Sequence, residues 1–267
     1  MIRFIVLLLV AFEVNSYIPS LLIKKYVRKF ENLNEITVFE PIKSDRKESS
    51  CVIFFTGGNS IMPPDIYSDF LEKLASKNLA VYVPNLGYDK FDKLIKKLNN
   101  EYKDVNFIGH SSGGITAIKK SIGNKYIKNL ILLDSVDSRL IDSEFRNKKY
   151  NLKFLKNLIF LNAAKSYKVN FNPFGLPFIP FASLDESAFE LSKKCKVKKI
   201  VASDYGHADI LNSPFSNFMH NSRIAVGFSQ RKLGCLNSYY NWLAKIIYLT
   251  CRNRISEVNN YNDIDYF

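Results

Sequence analysis

The segment Val105-Asn106-Phe107-Ile108-Gly109-His110-Ser111-Ser112-Gly113-Gly114 is the part of the chain that permits the fewest folds. An apolar run with strand composition leads straight into Gly-x-Ser-x-Gly, and Gly113 to Ile122 then carries a helix pattern. A strand that passes into a helix over so few residues makes a sharp turn with Ser111 at its tip, in a strained backbone conformation that presents the hydroxyl above the sheet. Glycines at 109 and 113 leave room for neighbouring chain to pass close. The hydroxyl then stands near the N-terminus of a helix, whose backbone N–H groups favour developing negative charge. Ser112 is the rival hydroxyl, but it occupies the x position, where its amide rather than its side chain serves an oxyanion.

The rest of the chain supplies the scaffold such a turn needs. Short apolar runs at 36–39, 52–55, 79–83, 105–108, 130–133, 158–161 and 199–202 alternate with helix-patterned stretches at 64–77, 89–99, 113–122 and from 215 onward. Nearly continuous apolar strands are those covered on both faces, so the expectation is an α/β chain with a mostly parallel central sheet and helices on both faces, the α/β-hydrolase fold. The stretches 138–154 and 169–181 read as excursions over the carboxyl edge of that sheet.

A serine hydroxyl acting as nucleophile at neutral pH needs a positioned base, and the chain has three histidines. His110 adjoins Ser111, but the turn aims its side chain away, toward packing or hydrogen bonding. His220 falls in an expected helix, 215–226. His207 follows strand 199–202 in a loop at its carboxyl end, and serine before histidine in chain order is the order this fold uses. The imidazole in turn needs a carboxylate to fix its tautomer. Strand 158–161 runs on into Asn162-Ala163-Ala164-Lys165, without one, whereas strand 130–133 is followed by Asp134-Ser135-Val136-Asp137. Asp134, at the strand terminus, is the expected acid, with Asp137 as the alternative; Asp209 fits local turn chemistry. Thr56-Gly57-Gly58 closes strand 52–55 as an oxyanion loop would, with the Gly58 and Ser112 amides as expected donors and a plain Gly-Gly turn as the alternative.

Together these motifs resemble the branch of the α/β-hydrolase superfamily that holds chlorophyllases and the secreted platelet-activating-factor acetylhydrolases, over residues 50 to 215. The counterparts of that branch's motifs are Thr56-Gly57-Gly58, Gly109-His110-Ser111-Ser112-Gly113-Gly114, Asp134-Ser135-Val136-Asp137 and Tyr205-Gly206-His207-Ala208-Asp209-Ile210-Leu211. Chlorophyllases carry Arg at the position of Ser112, Pro at Ser135 and His at Thr56. The resemblance implies Ser111, Asp134 and His207 as a catalytic triad without metal or organic cofactor, and a lipid-like or pigment ester as substrate. Phe174, Phe178 and Phe181 would form an apolar wall beside it or, equally, the edge of the core. A relative that keeps the pocket only to bind a lipid or pigment is the alternative of another class.

Composition bounds the remainder. At 267 residues and 47% hydrophobic content, one catalytic domain over 35–255 is expected, followed by a polar tail, 256–267. Met1-Ile2-Arg3 and the apolar run from Phe4 to Phe12 read as a secretory signal over 1–16, with a retained interfacial or buried helix as the alternative. Residues 17–34 read as a basic targeting or linker segment. A signal followed by a transit-like stretch suits plastids lying inside extra membranes, and a basic helix resting on an anionic membrane would look the same. The net charge of +13 is spread over most of the chain, with no zinc-finger spacing and no dominant basic stripe, so nucleic acid is not an expected partner. Four cysteines lack paired metal-site spacing; Cys235 and Cys251 could pair in an oxidising compartment.

Overall fold

The structure, a computed structural model, describes residues 23–30, 34–42, 45–85, 90–137, 149–164, 182–183, 189–212, 214–215 and 234–258. Eight strands form the central sheet: β1 Ile23–Phe30, β2 Asn34–Pro41, β3 Ser50–Phe55, β4 Leu79–Pro84, β5 Asp104–His110, β6 Ile127–Leu133, β7 Asn157–Ala163 and β8 Lys196–Ala202. Their spatial order is β1-β2-β4-β3-β5-β6-β7-β8. Pairings β1–β2 and β2–β4 are antiparallel, and the other five are parallel.

Successive side chains along the central strands feed two separate cores, which is why these runs show no polar alternation. Val52 and Phe54 of β3 face one way and join Ile108, Leu133 and Leu161 against α2, Ser68–Ser76, and α5, Gly234–Cys251. Cys51, Ile53 and Phe55 face the other way and join Phe107, Leu132 and Phe160 against α3, Phe91–Glu101, and α4, Gly113–Ser121. A short helix, α1 Gly57–Ser60, follows β3, and a 3₁₀ turn, Pro64–Tyr67, leads into α2. The helices thus cover both faces, as the sequence predicts.

All seven expected strand runs lie within observed strands. The eighth, β1, was hidden in the segment read as targeting or linker. Ile23-Lys24-Lys25-Tyr26-Val27-Arg28-Lys29-Phe30 is basic because it is the edge of the sheet, where lysines keep an unpaired strand from pairing with another chain. The sheet therefore begins at 23, twelve residues before the boundary placed at 35. The far boundary moves too, because Val258, in the segment expected to be a polar tail, is buried in the core that α5 joins. Cys235 and Cys251 do not pair: both lie in α5, 16 residues and so about 24 Å apart, and Cys251 is a buried free thiol. Residues 1–22, the body of the expected helix 215–226 with His220, the polar tail from 259, and the stretches 138–148 and 169–181 lie outside the described residues.

A ladder of three asparagines crosses the parallel sheet. Asn106, Asn129 and Asn157 occupy matched register positions on β5, β6 and β7 and are fully or almost fully buried. The Asn157 amide donates to Asn129 Oδ1 at 2.6 Å, Asn129 donates to Asn106 Oδ1 at 2.6 Å, and Asn106 donates to the Cys51 carbonyl at 3.0 Å. Each bond joins side chains or backbone at matched positions on neighbouring strands, so the ladder pins the strand register. Asn129→Ala removes the donor to Asn106 Oδ1 and leaves Asn157 Nδ2 with its longer contact to Asn253 Oδ1 at 3.3 Å, and is expected to cost about 2 kcal/mol, measured as a lower urea midpoint at unchanged slope.

Candidate active site

The site begins where β5 ends. Ser111 has φ +56, and its amide donates to the Leu133 carbonyl of β6 at 3.1 Å while its carbonyl accepts from Gly114 at 3.0 Å. A Cβ at Gly109 would stand 2.5 Å from the Gly114 Cα, and one at Gly113 would overlap the carbonyl oxygens of Phe55 and Thr56. Only glycine fits at either position. The turn is thereby wedged against the end of β3, which brings the Gly57-Gly58 loop beside Ser111.

Asp134, the first residue past β6, repeats the arrangement. It has φ +42, and its amide donates to the Leu161 carbonyl of β7 at 2.8 Å. Its Oδ1 accepts from the Ala163 amide at 3.1 Å, which leaves Oδ2 for His207. Nδ1 of His207 lies 2.6 Å from Asp134 Oδ2, and Nε2 lies 2.9 Å from Ser111 Oγ. Because a carboxylate only accepts, the neutral imidazole carries its proton on Nδ1 and turns a bare Nε2 toward the serine hydroxyl.

The loop that delivers His207 is held from several sides. The Gly206 amide donates to Asp209 Oδ2 at 2.8 Å, so the buried Asp209 serves the turn, as its sequence position suggested. Tyr205 stacks on Tyr239 of α5 with ring centroids 4.0 Å apart, and the Tyr240 hydroxyl donates to the Leu211 carbonyl at 2.6 Å. The Asn212 amide donates to the Ile66 carbonyl at 2.7 Å.

The structure thus brings Ser111, Asp134 and His207 together at the carboxyl edge of the sheet. Asp137 lies in a two-residue strand, Val136–Asp137, that pairs with Ala182–Ser183. Ser112 stands at the N-terminus of α4, and Gly58 has φ +62 in α1. The Gly57 amide donates to the Tyr67 hydroxyl at 3.0 Å and is therefore already occupied. Ser135, where the resembled branch has proline, donates its hydroxyl to the Gly109 carbonyl at 3.0 Å and ties the Asp134 turn to the Ser111 turn.

No protein-family model and no curated protein sequence matches the chain. Solved structures do match it. A sugar hydrolase from Lactococcus lactis is 12% identical with a TM-score of 0.53, covering 88% of this chain and all of that one. Esterase 2 of Thermogutta terrifontis, phosphoramylated by tabun, is 14% identical with a TM-score of 0.51, over 89% of this chain and 97% of that one. A fungal esterase from Rhizomucor miehei is 12% identical with a TM-score of 0.50, over 92% and 87%. The chain has the α/β-hydrolase fold. At such identities the likeness is one of architecture, and within the α/β-hydrolase fold the chemistry must be argued from the side chains themselves.

Sequence reasoning gave His110 no definite partner. Its ring is buried, its Nδ1 lies 2.9 Å from the Tyr67 hydroxyl, and its Nε2 lies 3.0 Å from the His207 carbonyl. Burial, reinforced by the neighbouring His207, pushes its pKa down to about 3. Unfolding exposes an ordinary imidazole that protonates below about pH 6.5, whereas the folded form resists protonation down to about 3. Stability is therefore fully present above pH 6.5 and is lost as pH falls through that window, by up to about 1.4 kcal/mol per unit. His110→Phe is expected to flatten this slope between pH 6 and 4, measured by urea unfolding at a series of pH values.

Proposed function

We propose that the chain is a serine hydrolase of carboxylic esters, with Ser111 as nucleophile, His207 as general base and then acid, and Asp134 as the carboxylate that orients the histidine. The observation that carries this reading is the continuous line from Asp134 Oδ2 through both nitrogens of His207 to Ser111 Oγ, with contacts of 2.6 and 2.9 Å. Nothing in the architecture alone requires three such groups to converge.

In the proposed cycle Ser111 Oγ attacks the ester carbonyl as its proton passes to His207 Nε2, and Asp134 compensates the charge that forms on the imidazole. The oxyanion is received by the amides of Gly58 and Ser112, and a donor of this kind contributes on the order of 3 kcal/mol to lowering the barrier. Collapse expels the alcohol, which takes the proton from His207. Water, activated by the same imidazole, then attacks the acyl-serine and releases the acid. Each step uses side chains and amides of this chain, with neither metal nor organic cofactor.

An apolar ester, lipid-like or of the chlorophyll type, is the substrate class favoured by the four motifs that resemble those of the chlorophyllase branch, with departures at Thr56, Ser112 and Ser135. The charge of +13 supports a substrate met at an anionic lipid surface. The apolar run from Phe4 to Phe12 behind Arg3 supports entry into the secretory route.

A fluorophosphonate probe is expected to label the wild type and spare Ser111→Ala. Failure to label, together with no turnover of chlorophyll, p-nitrophenyl acyl esters or phospholipid, would leave the protein a binder with the site of an enzyme. Asp134→Asn should retain the fold and lower kcat by about 10³ to 10⁴, read in a steady-state assay on whichever ester of that panel the wild type cleaves best.

A further inference from the structure

Beside the proposed triad runs a second line of hydrogen bonds that the chemistry above does not use. The Gly57 amide lies 3.0 Å from the Tyr67 hydroxyl, that hydroxyl lies 2.9 Å from His110 Nδ1, and His110 Nε2 lies 3.0 Å from the His207 carbonyl oxygen. Their directions follow from the chemistry of the groups. The carbonyl only accepts, so His110 carries a proton on Nε2. Its ring is kept neutral by burial, so Nδ1 is bare and accepts the phenolic proton of Tyr67. The phenol stays protonated because burial pushes its pKa up, and its oxygen accepts the Gly57 N–H.

All three bonds therefore point the same way, from the loop after β3, through the 3₁₀ turn, to the loop after β8. Tyr67 is fully buried and His110 almost so, which keeps water from competing for any of the three bonds. Phe54 packs edge-on against the Tyr67 ring at 5.2 Å and fixes where the hydroxyl points.

We infer that Tyr67 is a positioning residue for the proposed hydrolysis: its hydroxyl holds the Thr56-Gly57 peptide, and so the adjoining Gly58 amide, in register with the oxyanion and, through His110, holds the backbone that carries His207. The inference rests on the hydrolase reading. Without the hydroxyl the Gly57 amide has no acceptor and its peptide is free to rotate, moving the adjoining Gly58 amide. His110 also loses the donor that keeps its proton on Nε2. The other tautomer would turn a nitrogen lone pair toward the His207 carbonyl, and the two would repel.

Tyr67→Phe removes only the hydroxyl and keeps the ring. On a p-nitrophenyl ester that the wild type cleaves, it is expected to lower kcat about tenfold, less than the loss of a direct oxyanion donor, with KM changed less than about twofold. Affinity for a trifluoromethyl ketone analogue should fall in proportion to kcat/KM, because the effect belongs to the transition state. Unchanged kcat in folded Tyr67→Phe, or a rise in KM alone, overturns the inference while leaving the hydrolase intact. A wild type that neither reacts with fluorophosphonate nor cleaves any ester overturns both. Independently of folding in the variant, ¹⁵N NMR of the wild type should show His110 protonated at Nε2; a proton at Nδ1 overturns the relay.

Discussion

The packing of α4 onto the ends of β3 and β5 is the constraint on which the rest depends. Side chains are excluded at Gly109 and Gly113 because backbone occupies the space a Cβ would need. That closeness does more than make a tight turn. It presses the amino end of α4 against the carboxyl end of β3, so the Ser112 amide and the Gly57-Gly58 loop meet over the same small region. A looser approach, with side chains at those positions, would leave Ser111 exposed but far from any second amide donor.

Two of the proposed catalytic residues solve the same backbone problem in the same way. Ser111 and Asp134 each stand immediately past a strand and adopt positive φ, a conformation that costs a non-glycine residue about 1–2 kcal/mol. Each is held there by donating its amide to the next strand, Ser111 to Leu133 of β6 and Asp134 to Leu161 of β7. The sheet stagger that supplies those carbonyls is the stagger fixed by the asparagine ladder below. Strand register, secured by buried amides at one end of the sheet, thus sets the separation of hydroxyl and carboxylate at the other.

Much of this was legible in the residues because it is local. The Ser111 turn announces itself by its glycines and by the strand and helix that flank it, and Asp134 by standing at the end of an apolar run. His207 could be reached by elimination, since three histidines leave few choices. The features that escaped depend on where a segment lies in space. β1 has the composition of a basic leader, and only its place at the sheet edge explains its lysines. Asn106 interrupts an apolar run and Asn129 and Asn157 stand just before two others, and none announces a partner; their meaning is the register that aligns them. Tyr67 lies 43 residues from His110, and nothing in Asp65-Ile66-Tyr67 signals that its hydroxyl would be buried between two loops.

The pairing of two histidines at the site raises an electrostatic question that the buried relay answers. The His110 and His207 rings are 4.8 Å apart between centroids, close enough that two imidazolium charges would repel strongly. In the proposed mechanism His207 takes a proton each time Ser111 attacks, so a second cation at that distance would raise the barrier. Burial makes His110 a poor base, and the bond from Tyr67 occupies the lone pair on which it would protonate. The neighbouring carboxylate, Asp134, bonds to His207. The two rings are thereby assigned different work by their surroundings: one is free to accept charge, and the other offers only neutral hydrogen bonds to hold it in place.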